Sequence, residues 1–315
     1  MTPIDRNRSA FAPGAPPVRP TALNPLNPLD LAKAALEGIK DLPRDLQMGL
    51  DVFQATNLRE LQRLFGGDAK PDRMSDGAFL GAKGKQFPPG TPLNQMPGVT
   101  PANNPTPQKT ILYVNGIMTP AEGQLREMQA IADTSGAKVL GLHNATQGLV
   151  TDLVQCVTDK LDKGRNPAVD ALADTVYTEL KAGRDVHLMG YSQGGLITAR
   201  ALFDVRQRLR LEDGLSSAQA EERLGHVNVE TFGAASTKYP DGPKYVHYIN
   251  NADLVPTLTG LGGSVDPLSF LKDAGKGAVV HRFTGGNLNP ISNHMVDTLY
   301  MPHRVPFEQA RANRF

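Results

Sequence analysis

Apolar residues between positions 109 and 300 fall into short runs of two kinds. Compact runs rich in Val, Ile, Leu and Tyr at 110–115, 137–142, 185–189, 226–232, 244–250 and 279–283 predict buried strands. Runs whose apolar residues recur every three or four positions predict helices at 121–134, 148–161, 168–181, 196–211 and 217–224, with a short last one at 292–300. Strands alternating with helices predict an α/β fold, a mostly parallel sheet covered by helices on both faces. In such a sheet the functional loops lie at the carboxyl ends of the strands.

The chain before this region is patterned differently. Residues 1–29, rich in Pro, Asn, Ala and Arg, carry no hydrophobic period and predict a disordered tail. Residues 30–65 predict amphipathic helices: Asp30 caps one over 31–39, Pro43 interrupts, and a second spans 45–65 with Leu46, Leu50, Phe53, Leu58 and Leu61 on its apolar side. Residues 66–108 predict a Pro/Gly-rich linker. Of the 25 prolines, 16 precede residue 109, which puts the start of one large domain, 109–315, at that point.

Composition narrows the function classes. A net charge of +1 over 315 residues implies no bulk attraction to nucleic acid or anionic membrane, so no nucleic-acid partner is expected. The single Cys156 excludes an intramolecular disulfide and a multi-cysteine metal site, and it reads as a small buried hydrophobe on the 148–161 helix. No apolar run is long enough to span a bilayer, and the N-terminus lacks the apolar core of a signal peptide. The expected location is the cytoplasm, or outside the cell by a route that reads another signal. The first 29 residues are similar in composition to the leaders of bacterial effectors exported through needle-type machines. Peripheral membrane contact and oligomeric state stay open. His and Asp are scattered without ligand spacing, and calcium loops and P-loop glycines are missing, so neither metal nor cofactor is expected.

The candidate chemistry centres on Gly190-Tyr191-Ser192-Gln193-Gly194, with a predicted strand before it and a helix after it. A strand-to-helix turn this tight leaves no room for side chains two residues either side of the Ser, which the two glycines satisfy. It lifts the Ser192 hydroxyl off the sheet and leaves the Gln193 N–H at the positive end of a helix, where an oxyanion would sit. The bland alternative is a Gly-rich turn in which Ser192 caps the helix. A Ser hydroxyl needs a base to take its proton and a third group to orient that base. In the chain order Ser, acid, His, the acid candidate is Asp253, just past the 244–250 strand, with Asp266 and Asp297 as fallbacks and an Asx-turn or helix cap as its ordinary role. The base candidate is His294, in the loop after the last strand, with His303 as runner-up. Asn115-Gly116, after the first strand, suits a second oxyanion loop in which Ile117 or Met118 supplies the N–H. Asn115, Gly116, Tyr191 and His143 are candidate pocket-lining residues.

Four segments in this order resemble the class 3 lipases of the α/β-hydrolase superfamily: Gly190 to Gly195, Val229 to Ala234, Ile249 to Pro256 and Asn293 to Tyr300. That branch reads Gly-His-Ser-Leu-Gly-Gly at the elbow, Thr-Phe-Gly-(Ser/Ala) on the next strand, Asn-x-x-Asp-Pro-Val-Pro at the acid, and a late His near a Tyr. Here Tyr191 and Gln193 flank the Ser, and Leu254 follows the Asp. The resemblance spans roughly 109–302 and implies hydrolysis of an acyl ester, often a lipid, through an acyl-enzyme on Ser192, with His294 and Asp253 completing the triad. The same triad would serve an acyl-thioesterase or a peptide hydrolase, and a non-catalytic effector or scaffold on a hydrolase fold is the reading from another class. Residues 257–277, between acid and base, suit a lid over an acyl groove or an ordinary connecting loop.

Overall fold

A computed structural model describes residues 76–117, 119–145, 166–262, 273–287 and 292–315, without the side chains of Leu254 and Leu258. The predicted tail, the helices at 30–65 and 148–161, Cys156, Met118 and Asp266 lie outside the described residues.

Eight strands form one sheet: β1 (Phe79–Leu80), β2 (Gln86–Phe87), β3 (Thr110–Val114), β4 (Lys138–Leu142), β5 (Val186–Tyr191), β6 (Val227–Phe232), β7 (Lys244–Asn250) and β8 (Val279–Phe283). Their order across the sheet is β2-β1-β4-β3-β5-β6-β7-β8. Strands β3 to β8 pair in parallel with one another, and β1 pairs antiparallel with both β2 and β4. The six strands expected from the hydrophobic runs are the six parallel ones.

The stretch 66–108 reads as a linker by composition, yet its described part, 76–108, folds against the sheet edge. Phe79 and Leu80 pair with Leu142 and Gly141, and Val99 exchanges backbone hydrogen bonds with Val139. Phe79, Leu80 and Met96 are buried there. Two-residue strands carry too little alternation to register as a pattern, and the prolines around them mask the few apolar positions.

Helices α1 (Ala121–Ser135), α2 (Pro167–Lys181), α3 (Gln193–Leu211), α4 (Ser217–Leu224), α5 (Leu254–Thr259) and α6 (Phe307–Arg311) complete the described fold. Alternation along the strands divides the core in two. Leu112, Val114, Leu188 and Val229 face one side, under α2, α3 and α4. Ile111, Tyr113, Met189, Tyr191, Phe232 and Tyr248 face the other, under α1, α6 and the chain at 296–301. Asn166 caps α2 by accepting from the N–H groups of Ala168 and Val169, and Ser216 with Gln219 forms a capping box on α4. The expected helix at 292–300 is instead a 3-10 turn, Ser292–His294, followed by a single π-helical turn, Val296–Tyr300. Among the described residues no helix is long and apolar enough to cross a membrane.

Candidate active site

Strand β5 ends at Tyr191 and α3 begins at Gln193, so Ser192 alone makes the turn, at φ 56° and ψ −123°. That backbone conformation is strained for a residue with a Cβ. Its neighbours hold it: the Ser192 N–H donates to the Phe232 carbonyl at 3.1 Å, and the Ser192 carbonyl accepts from Gly195 at 3.1 Å and Ala235 at 3.0 Å. The glycines are needed for space. A Cβ on Gly194 would lie 2.1 Å from the Val114 carbonyl oxygen, and one on Gly190 would lie 2.8 Å from the Gly195 Cα. The Ser192 side chain makes no capping hydrogen bond to α3, so the bland role does not describe it. Helix α3 starts three residues before the pattern suggests, because Gln193, Gly194 and Gly195 carry no apolar period.

Asp253 follows β7 and is fully buried. Both carboxylate oxygens are in use. Oδ1 accepts from the Val255 N–H at 2.9 Å and caps α5. Oδ2 accepts from His294 Nδ1 at 2.6 Å and from the Tyr300 hydroxyl at 2.5 Å. One carboxylate therefore both caps α5 and holds His294. Burial, then the Asp253 charge and hydrogen bond, hold the Tyr300 hydroxyl well above its usual range, so it stays a donor. The 3-10 turn carries His294 and the π turn carries Tyr300 to the same oxygen; single π turns are frequent at functional sites.

His294 is buried, and its Nε2 has no hydrogen-bond partner among the described residues. Its ring centroid lies 4.9 Å from that of Tyr191, the residue before Ser192. Gly233 sits against Asp253 and His294. It follows Phe232, whose carbonyl holds Ser192, and a Cβ on it would lie 2.8 Å from Asp253 Oδ2 and 3.1 Å from His294 Cε1. Asp253, after β7, and His294, after β8, thus meet, and Ser192 makes the turn at the carboxyl end of β5 in the same sheet.

The six other histidines have other contacts. His187 pairs with Glu230, which also holds Arg304. Burial pushes Glu230 up, but Arg304 and His187 outweigh it and hold the carboxyl below its usual range. His226 meets Asp185, His281 stacks on Phe315, and His303 stacks on Phe283 at 3.9 Å. His247 lies between the Thr231 hydroxyl and the Ala274 carbonyl, and burial pushes it down to about 4. Its Nε2 must carry the proton, since a carbonyl only accepts, so Nδ1 accepts from Thr231. His143 meets Gln124 through Nδ1 at 2.8 Å, which ties the end of β4 to α1. Of the fallback acids, Asp297 bonds locally to the Thr298 N–H.

Two buried asparagines, given no role by the motifs that contain them, fasten the His294 loop. Asn250 Nδ2 donates to the carbonyls of Gly285 and Asn293, both at 3.1 Å. Asn293 Nδ2 donates to those of Ala252 at 3.1 Å and Asn287 at 2.7 Å. Both lie inside segments that resemble the lipases, but their contacts to Gly285, Asn293 and Ala252 join residues more than 30 apart in sequence. Beside the site, Glu127 on α1 accepts from the Tyr113 hydroxyl at 2.7 Å, and burial raises its carboxyl to about 8.

The chain has an α/β-hydrolase fold. The parallel sheet order and the turn at Ser192 carry that assignment. No family model matches the chain, and no curated protein matches it. Among solved structures it is similar to Aspergillus fumigatus lipase B, at 14% identity and a TM-score of 0.36, over 68% of this chain and 57% of that one. The match spans little more than half of that chain's length. Among the described residues no group of three or more His, Cys, Asp or Glu is placed to hold a metal ion.

Proposed function

We propose that the chain is a serine carboxylester hydrolase acting on an acyl ester, such as a lipid ester, through Ser192, His294 and Asp253. The observation that carries this reading is the state of His294. Its Nδ1 is committed to Asp253 Oδ2 at 2.6 Å, which puts the proton of the neutral ring on Nδ1 and leaves a buried lone pair on Nε2 with no partner. That is the tautomer a general base needs, and in this reading the strained Ser192 delivers its proton to that nitrogen.

In the reaction Ser192 Oγ attacks the acyl carbonyl carbon while its proton passes to His294 Nε2. Asp253 stabilises the imidazolium so formed, and Tyr300 stabilises the Asp253 charge. The backbone N–H groups of Gln193 and of Ile117 or Met118 receive the oxyanion. The carbon–oxygen bond to the alcohol then breaks, and His294 Nε2 returns the proton to the leaving oxygen. Water repeats the cycle on the acyl-enzyme, with His294 again as base.

A fluorophosphonate probe tests this. Ser192-dependent labelling of the wild type, lost in Ser192→Ala, is the expected result; unlabelled, well-folded wild type across residues 1–315 would sink the reading. Turnover of p-nitrophenyl esters, phospholipid and acyl-thioester side by side then separates esterase, phospholipase and thioesterase.

A further inference from the structure

We propose that the side chains of Asn115, Asn144 and Gln193 form a positioning relay that aims two backbone N–H groups at the carbonyl under attack. The inference rests on the Ser192 reading above and deepens it.

The three residues come from three different strand ends, those of β3, β4 and β5, and all are buried at 0%, 1% and 3% exposure. Both ends of the Asn115 carboxamide are engaged. Its Nδ2 donates to the Gly116 carbonyl at 2.8 Å and to the Asn144 carbonyl at 3.0 Å, while its Oδ1 accepts from the Asn144 N–H at 2.8 Å. The Asn144 Nδ2 in turn donates to Gln193 Oε1 at 2.7 Å. A continuous chain of hydrogen bonds therefore links the loop after β3, the loop after β4 and the first residue of α3.

Peptide geometry turns this chain into an aiming device. In a trans peptide the C=O and the following N–H point in opposite directions. Asn115 grips the Gly116 carbonyl, so it sets the direction of the Ile117 N–H. Gly116 lies against the nucleophile, since a Cβ on it would be 3.0 Å from the Ser192 Cβ. Of the two donors left open by the sequence, Ile117 is the one this grip orients. At the other end Asn144 holds the Gln193 side chain, whose own backbone N–H opens α3 directly after Ser192. Both N–H groups thus share one support. The class 3 lipase pattern has Leu where this chain has Gln193, and Leu accepts no hydrogen bond, so the relay belongs to this chain's departure from that pattern.

The test compares Gln193→Leu, Asn144→Ala and their double variant with wild type in the full chain. It uses kcat and KM on p-nitrophenyl butyrate, the rate of fluorophosphonate labelling, and a thermal melt. Loss of a whole oxyanion donor costs about 10²–10³ in kcat. A misaimed donor should cost less, about 10–100-fold, with KM held within about twofold. Labelling should slow in step, the pH profile should keep its shape because His294 and Asp253 are untouched, and the double variant should be no slower than the worse single one. Gln193→Leu keeps the size and the backbone N–H, so it decides the matter if Asn144→Ala fails to fold. Unchanged kcat in folded Gln193→Leu overturns the relay, as does a rise in KM alone, which would mark Gln193 as a pocket wall. Wild type without Ser192-dependent labelling overturns the Ser192 reading, and the relay with it.

Discussion

Replacing Asp253 by Asn separates its two jobs. The side chains are nearly isosteric, but the amide has one acceptor where the carboxylate has two. In the structure Oδ1 receives the Val255 N–H at 2.9 Å, and Oδ2 receives His294 Nδ1 and Tyr300 at 2.6 and 2.5 Å. If the amide nitrogen took the Oδ1 place it would face the fixed Val255 N–H, leaving two donors opposed in a buried site at a cost of about 1–3 kcal/mol. If it took the Oδ2 place, the Tyr300 hydroxyl could rotate to accept and His294 could move its proton to Nε2. The second arrangement is the cheaper, and it keeps the cap on α5. It also destroys the base, because Nε2 then carries a hydrogen. The expected result is a fall in kcat of about 10⁴, or roughly 5.5 kcal/mol of barrier, as for a triad in the wrong tautomer. The loss of stability should be small beside that. Ester turnover and the rate of fluorophosphonate labelling measure the first, and denaturant unfolding the second. A D253N protein that labels at the wild-type rate would refute the assignment of Asp253 as the orienting acid. One that is inactive only because it unfolds would mean the helix cap is its main role.

Other expectations follow from single residues. Ser192→Gly should melt higher than Ser192→Ala, by about 1–3 kcal/mol of relieved strain, because only Gly adopts φ 56° without cost; equal melting of the two would remove strain from the account. His247 is held neutral, with its folded value near 4 against 6.5 unfolded. Its contribution is complete above pH 6.5 and shrinks as pH falls toward 4, by about 3 kcal/mol in all, so urea unfolding should weaken over that window in wild type and less in His247→Gln. Glu127 has the opposite sign: raised from 4.5 to about 8, it favours the folded state fully below pH 4.5 and progressively less as pH rises to 8. Glu127→Gln should flatten that slope, and an unchanged slope would place the titration elsewhere.

The hydrophobic pattern sufficed for the six parallel strands and for the helices at 121–134, 168–181, 196–211 and 217–224, because alternation and the three-to-four period are local properties of a chain packed on both faces of a sheet. The turn at Ser192 was legible for the same reason: strand, two glycines and helix follow each other without a gap. Asp253 and His294 were legible as positions after strands and as matches to the lipase pattern. Their meeting, the double use of the Asp253 carboxylate, and the Tyr300 hydroxyl on the same oxygen depend on β7, the loop after β8 and a π turn folding onto one point. The edge strands at 79–87 were hidden because their order comes from pairing with β4 and not from their own sequence. Asn115, Asn144 and Gln193 show the limit most plainly. A carboxamide looks the same in a surface turn and in a buried network, and only the approach of three strand ends decides which hydrogen bonds it makes.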